Sequence, residues 1–278
     1  MKRIIITCTA AALALTIILS CTNEPKKTAN SPKTLNISVY LDLSDRLVRN
    51  LQPNQTYRDT AIINYLCDYF KKQTLGPTIL QSQNKMKVFF YPTPNNSEIP
   101  ILAQGLNVDI ASKQGVEKRM ALDNMKSVFS QNLAQIYNET IKDKNWIGCD
   151  IWGFFSSKKV DNLCVKEDAR NIIVILTDGY LFHQDHKLRE ENAYSYILPQ
   201  TLAVENSSLI NRRKGELSGK GIEILMLEVN PYKPDHLDKM VGILDDWFKG
   251  MGIEKVAIAE TDANLTNTQT IIKNFLEH

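Results

Sequence analysis

Oxygen-bearing side chains follow two apolar segments of the chain, each within three residues of the segment's end. Asp42 and Ser44 come after the run Leu35–Leu41, and Asp178 comes after the β-branched run Ile172–Leu176. Carboxylate and hydroxyl oxygens are ligands that Mg²⁺ accepts, together with several waters. An Asp and a Ser two residues apart can face the same point across a turn. These three residues therefore form a candidate site for Mg²⁺ or Mn²⁺.

Arg46 gives the same stretch, which reads LDLSDRL, a second interpretation. A guanidinium is always charged and forms strong hydrogen-bonded pairs with carboxylates. Paired with Asp42 or Asp178, it would take the place of the ion. The aspartates would then be held by Arg46 and by backbone N–H groups, and no ion would be needed.

Neighbouring residues have simple structural interpretations. Asp59 is a candidate cap for the first helix, and Asp45 is either a helix-side cap or a solvated charge. Thr177 is expected to hydrogen-bond the backbone at a turn. Gly179 is expected to supply a tight turn or a positive φ.

The hydrophobic pattern along the chain alternates between the periods of strands and helices. Strands are predicted at Leu35–Leu41, Met86–Tyr91, Ile172–Leu176, Ile222–Val229 and Lys255–Ala259, and helices at Tyr57–Lys72, Gly115–Lys142, His236–Met251 and Thr266–Leu276. Several strands are apolar on both faces, which predicts a parallel sheet covered by helices. We expect one doubly wound, mostly parallel α/β sheet with helices on both faces, spanning residues 35–278. In such sheets ligands bind at the carboxyl ends of the strands.

Three motifs, taken in chain order, resemble those of the von Willebrand factor type A domain. Asp42-Leu43-Ser44 matches the first half of that family's Asp-x-Ser-x-Ser motif, and Thr177-Asp178-Gly179 matches its Thr-Asp-Gly motif. Between them, Gly148-Cys149-Asp150-Ile151 matches the middle loop Gly-Thr-Asp-Ile. The resemblance covers about residues 35–278. It implies a metal-ion-dependent adhesion site that binds a protein partner rather than catalysing a reaction.

The chain departs from the family pattern at two ligand positions. Arg46 stands where the second Ser is expected, and Cys149 stands where the Thr is expected. A thiol is a poor ligand for Mg²⁺, which prefers hard oxygen. The adhesion site would therefore be degenerate, and an unidentified protein partner would dock on the same rim without an ion.

The N-terminus has the features of a secretory signal over residues 1–20, with a basic start and an apolar run. Ile18-Leu19-Ser20-Cys21 resembles the lipobox of bacterial lipoproteins in the relaxed form of Bacteroidetes-type bacteria, which predicts lipidation of Cys21. The alternative is a plain signal peptide cleaved nearby. Residues 21–34 are polar, with two prolines, as is typical of a flexible tether. We expect a lipid-anchored protein of the bacterial cell envelope, in the outer membrane and facing the periplasm.

Charge and cysteine content exclude some classes of function. Loss of residues 1–20 removes Lys2 and Arg3, which leaves 31 basic residues against 31 acidic ones. A neutral chain gives no reason to expect nucleic acid as a partner, and the lipid would be the link to the membrane. Cys67, Cys149 and Cys164 show no metal-ligand spacing, and one bridge between Cys149 and Cys164 is left open.

Other candidate residues carry weaker signals. His183 and His186 could share a metal, but no third ligand lies near them in sequence, so an exposed polar loop is the simpler interpretation. Residues 180–220 form a long polar connection, either part of a recognition surface or a family-specific insertion.

The enzymatic alternative is a Mg²⁺-dependent phosphatase of the haloacid dehalogenase class, with Asp42 as nucleophile. That class requires a second Asp two residues on, where this chain has Ser44. The late acidic pair Asp245-Asp246 lies on a segment with helical spacing, not at a strand end.

Overall fold

A central sheet organises the molecule. Eight strands occur among the residues that the structure describes, and these are β1 (Thr34–Leu41), β2 (Lys85–Phe89), β3 (Asn107–Asp109), β4 (Ala169–Leu176), β5 (Leu188–Glu190), β6 (Ala193–Ser195), β7 (Ile222–Val229) and β8 (Lys255–Glu260). In the computed structural model, six of them pair in the order β3-β2-β1-β4-β7-β8. β3 pairs antiparallel with β2, and the other neighbours pair parallel. β5 and β6 form a separate antiparallel pair.

The structure describes residues 33–76, 78–144, 146, 148–180, 213–232 and 234–278, together with the backbone of β5 and β6. Its α-helices are α1 (Gln55–Thr74), α2 (Glu98–Gln104), α3 (Val116–Asp143), α4 (Ile151–Ser156), α5 (Lys159–Cys164), α6 (Leu237–Gly250) and α7 (Leu265–Glu277). Short 3₁₀ helices occur at Asp45–Val48, Ile79–Gln81 and Pro234–His236. The predicted doubly wound, mostly parallel sheet is confirmed.

Alternating side chains of the inner strands supply a separate core on each face of the sheet. Along β1, Ile37 and Val39 point into one cluster, which contains residues of α1, α3 and α7. Tyr40 points into the other, which contains residues of α4, α5 and α6. A fully buried aliphatic or aromatic side chain contributes about 1.5–3 kcal/mol. Burial on both faces explains why the inner strands are nearly continuous apolar runs.

Helix α1 begins earlier than its apolar pattern predicts, and this corrects the role expected of Asp59. Asn54 caps the helix, since its side chain accepts a hydrogen bond from the Tyr57 N–H at 2.9 Å. Asp59 lies one turn inside the helix and is buried, so the prediction that it caps α1 is wrong. The apolar face of α1, with Ile62 and Leu66, packs on the sheet.

Both core clusters lie within Thr34–His278, which form one compact unit. Cys67, Cys149 and Cys164 are buried free thiols, so the bridge left open between Cys149 and Cys164 is not formed. No helix in the described part of the chain is long and apolar enough to cross a membrane.

Several predicted features lie outside the described residues. These are the signal at residues 1–20, the lipidation site Cys21, nearly all of the tether at 21–34, the histidine pair His183 and His186, and most of the connection 180–220.

Candidate functional site

Three loops meet where β1, β4 and β7 end, because these strands are parallel neighbours in the sheet. Backbone pairing continues past the strands. The Asp42 N–H donates to the Leu176 carbonyl at 3.0 Å, and the Thr177 N–H donates to the Leu227 carbonyl at 3.2 Å. The residues that follow each strand are thereby brought together at the carboxyl edge.

A narrow cleft opens between these loops. The three predicted ligands, Asp42, Ser44 and Asp178, all line it. The remaining lining residues are Asp45, Cys149, Tyr180 and Tyr232. The residues that sequence reasoning selected from distant segments thus share one small space.

Both oxygens of the Asp42 carboxylate already accept hydrogen bonds. Oδ1 accepts from the Ser44 N–H at 2.8 Å, and Oδ2 accepts from the Thr177 hydroxyl at 2.7 Å. Ser44 in turn caps the 3₁₀ helix Asp45–Val48, its hydroxyl accepting from the Arg46 N–H at 3.5 Å. Asp42 is 1% exposed, so these bonds fix its orientation beneath the cleft.

Arg46 turns inward, but its main partner is not one of the predicted aspartates. Its guanidinium donates to the Asp59 carboxylate of α1 at 2.7 and 3.4 Å. Arg46 Nε donates to the Asp42 backbone carbonyl at 3.0 Å and lies 3.7 Å from Asp42 Oδ2. Burial lowers the pKa of Arg46, but the charges of Asp59 and Asp42 outweigh it and raise that pKa above the ordinary value. The expected pairing is therefore partly present at Asp42 and absent at Asp178.

A different arginine, Arg49, holds Asp178, and sequence reasoning missed it. Its guanidinium donates to Asp178 Oδ2 at 2.6 Å and also to the Asn230 carbonyl. The same group lies 3.7 Å from the centre of the Tyr232 ring, in cation–π geometry. Arg49 thus joins the loops that follow β1, β4 and β7. The only signal in the sequence was a second basic residue three positions after Arg46.

The surroundings of Asp178 disfavour the ionised form of its carboxylate. Burial, and then the charge of Asp42, raise its pKa to about 7, and Arg49 opposes both effects. Its Oδ1 accepts from the Tyr180 N–H at 3.1 Å. Near neutral pH this group sits between its protonated and ionised forms.

Gly179 fills the role predicted for it, with φ of +95°. A Cβ there would lie 2.4 Å from Met240 Sδ, so the turn also has no room for a side chain. Thr177 accepts from the Gly179 N–H at 3.2 Å, the turn contact expected of it, and additionally donates to Asp42.

The middle motif supplies a buried thiol and a helix cap. Cys149 lines the cleft, and burial followed by the charge of Asp42 raises its pKa well above the ordinary value, so it stays a neutral thiol. Asp150 caps α4, its side chain accepting from the Gly153 N–H at 2.7 Å. Neither group is arranged as a ligand for a hard cation.

The donors in the cleft do not fit a divalent ion as they are arranged. Each oxygen of Asp42 and Asp178 is engaged, and Arg46 and Arg49 already supply two positive charges beside them. Within the described residues, no group of three or more His, Cys, Asp or Glu side chains is placed to hold a metal. An ion at Asp178 would compete directly with Arg49. Metal binding by Asp42, Ser44 and Asp178 therefore stays a prediction.

A second buried network holds α1 beside the cleft. Arg58 donates to the Glu228 carboxylate at 2.6 and 3.0 Å, and Glu228 is the penultimate residue of β7. The Gln55 amide links Glu228 to Asp59, at 3.2 and 2.9 Å. The network thereby connects the end of β7 to Arg46.

No protein-family model matches the chain, and a search of curated proteins finds no match. Two similar solved structures come from Bacteroides. One is an aerotolerance-related membrane protein of Bacteroides fragilis NCTC 9343 carrying multiple mutations to serine, with 14% identity over 87% of this chain and 98% of that chain, and a TM-score of 0.40. The other is the conserved hypothetical protein BatB of Bacteroides thetaiotaomicron, with 14% identity over 88% and 100%, and a TM-score of 0.41. Similarity at this level does not establish a family.

Proposed function

We propose that this chain is a binding protein of the von Willebrand A type, anchored in the bacterial cell envelope by a lipid on Cys21. Its carboxyl-edge cleft would receive a protein partner. The three motifs that resemble the family meet in that cleft, and the sheet has the order and direction that such a site requires.

The observation that carries this proposal is that large exposed side chains border the cleft, whose own polar side chains are buried and hydrogen-bonded. These bordering side chains are called the rim. Three large side chains stand out from the carboxyl edge: Val48 is 54% exposed, Tyr57 is 60% exposed and Tyr232 is 54% exposed. They belong to the loop after β1, the first turn of α1 and the loop after β7. Tyrosine and arginine are enriched at protein interfaces, where they act as anchors. A rim of this kind fits a protein partner.

The phosphatase alternative is not favoured by the geometry. A nucleophilic carboxylate must reach its substrate, but Asp42 is buried, with both oxygens in hydrogen bonds to Ser44 and Thr177. The late acidic residue Asp245 lies on α6 and pairs with Lys249 at 2.6 Å. The late acidic pair is therefore on a helix and not at a strand end, as that reaction would need.

Site-specific photocrosslinking in the native bacterium tests the proposed interface. A photoreactive amino acid is placed at Val48 or at Tyr57, and adducts are resolved by mass. Leu80 is the matched control, since it is 66% exposed but precedes β2, at the opposite edge of the sheet. We expect a discrete protein adduct from Val48 and Tyr57 that is absent from Leu80. Equal adducts from all three positions, or none from the rim, would contradict the proposal.

A further inference from the structure

Arg49 lies beside the cleft, where its guanidinium contacts two of the lining residues, Asp178 and Tyr232. Asp42 and Asp178 both line this small space, and their charges disfavour one another. The Arg46 guanidinium is committed to Asp59, which leaves Asp178 to Arg49 at 2.6 Å. The geometry thus supplies, from within the chain, the charge that a divalent ion would bring.

Three contacts fix the Arg49 guanidinium at this position. One nitrogen donates to Asp178, another donates to the Asn230 carbonyl, and the flat face lies on the Tyr232 ring. These contacts require a planar, always-charged group that can pair with a carboxylate and stack on an aromatic ring. A lysine at position 49 would not reproduce them. The partners of Arg49 belong to two separate loops, so these contacts form only in the folded protein.

We propose that Arg49 is a resident cation that replaces a divalent ion at Asp178. The cleft then meets its partner without metal, and removal of the guanidinium frees Asp178 Oδ2 to bind an ion. This inference rests on the proposed function only for the cleft's role as a binding site. Its test needs no partner, so the two can fail separately.

Arg49 can also be replaced at a lower cost in stability than Arg46. Arg49 is 14% exposed, whereas Arg46 is 1% exposed. Its Nε is buried with no acceptor among the described residues, and such an unsatisfied donor costs free energy. Replacing Arg46 instead would leave the Asp59 carboxylate buried without its cation, which is strongly destabilising. Arg49 is therefore the arginine whose removal tests the site.

Calorimetric titration of Mn²⁺ and Mg²⁺ is the experiment. Since Thr34–His278 contain both core clusters, the soluble chain from Thr22 to His278 is used. The variants are Arg49→Gln, the double variant Arg49→Gln with Asp178→Asn, and the control Arg119→Gln. Arg119 is an exposed arginine of α3. Its neighbour Lys118 donates to the Leu80 carbonyl before β2, so the variant loses the same charge at the edge of the sheet opposite the cleft.

Arg49→Gln should bind Mn²⁺ at least about tenfold more tightly than wild type, which corresponds to about 1.4 kcal/mol. Asp178→Asn should abolish that gain, and Arg119→Gln should behave as wild type. Added Mn²⁺ should raise the Tm of Arg49→Gln only. Wild type that binds Mn²⁺ as tightly as Arg49→Gln, with the binding dependent on Asp178, would overturn the proposal. So would a folded Arg49→Gln that gains no binding.

If Arg49→Gln does not fold, the variant Tyr232→Leu provides a second test of the proposal. It removes the stacking surface at an exposed position and leaves the guanidinium in the chain. Because the Arg49 guanidinium would be held less firmly, Tyr232→Leu should gain Mn²⁺ affinity over wild type, but less than Arg49→Gln does. This gain should again depend on Asp178. No gain in this variant would count against the proposal.

Discussion

At the scale of single residues, the cleft is a pair of carboxylates stabilised by the chain's own arginines. Arg46 and Arg49 lie three positions apart, yet they serve different acids, Asp59 and Asp178. The 3₁₀ helix Asp45–Val48 separates them, since Arg46 lies within it and Arg49 directly follows it. One side chain is thereby directed to Asp59 of α1 and the other to Asp178 and Tyr232.

Asp178 should make the protein less stable as the pH rises. Its pKa is raised to about 7 in the folded protein, while an unfolded Asp has a pKa of about 3.9. Between these values the folded state holds a proton that the unfolded state has lost. This group's contribution to stability is therefore complete below about pH 4 and is lost as the pH rises through about 7.

The variant Asp178→Asn removes this ionisation. Its stability relative to wild type should rise between about pH 5 and about pH 8, by up to about 3 kcal/mol. Urea unfolding at the two pH values measures the difference. Asp123→Asn is the control, because a hydrogen bond from Lys71 lowers the pKa of that exposed acid and both states are ionised throughout this range. A pH-independent difference for Asp178→Asn would show that burial does not raise this pKa.

At the scale of elements, α1 is the piece that aligns the cleft. Its first two turns carry Gln55, Arg58 and Asp59, all buried, and these reach both the loop after β1 and the end of β7. An amphipathic helix that only covered a sheet would present apolar residues there. The polar first turns of α1 instead fix the distance between two strand ends.

Breaking the pair between α1 and β7 should be costly. Glu228→Ala leaves the Arg58 guanidinium buried without its carboxylate, and loss of one partner of a buried pair costs about 3–5 kcal/mol. Asp68→Ala is the control on the same helix, since its pair with Lys126 is exposed and such pairs contribute about 0–1 kcal/mol. Denaturant unfolding measures both. Equal losses would mean that the buried network does not hold α1.

The long elements and the strand-end site could be predicted from sequence because their signals are local. β4 and β7 are nearly continuous apolar runs, α6 has a clear helical period, and Asp42 and Asp178 follow apolar strands. The elements that were missed, such as α2, β3 and α4, are too short to show a period. The partners of Arg46 and Arg49 could not be predicted either. Each pairing depends on how separate loops approach one another, and no spacing rule encodes that.

At the scale of the whole molecule, the first described strand begins at one edge of the sheet and the cleft lies at the opposite edge. β1 starts at Thr34, at the amino edge of the sheet. The cleft lies at the carboxyl edge, beyond Leu41. Within the described unit, the proposed binding surface is therefore at the edge remote from Thr34.

The lipid anchor is tested by Cys21→Ser. Acylation of the thiol requires the cysteine, and several acyl chains on one residue anchor stably where a single short chain does not. Wild type grown with a clickable fatty acid should be labelled, partition into detergent and lack residues 1–20 by mass. Cys21→Ser should be unlabelled and should retain the mass of those residues. Cys8→Ser is the matched control, since Cys8 lies within the predicted signal and should be removed with it. Label that persists in Cys21→Ser, or that is lost in Cys8→Ser alone, would assign the N-terminus to another kind of processing and leave the binding domain without the proposed anchor.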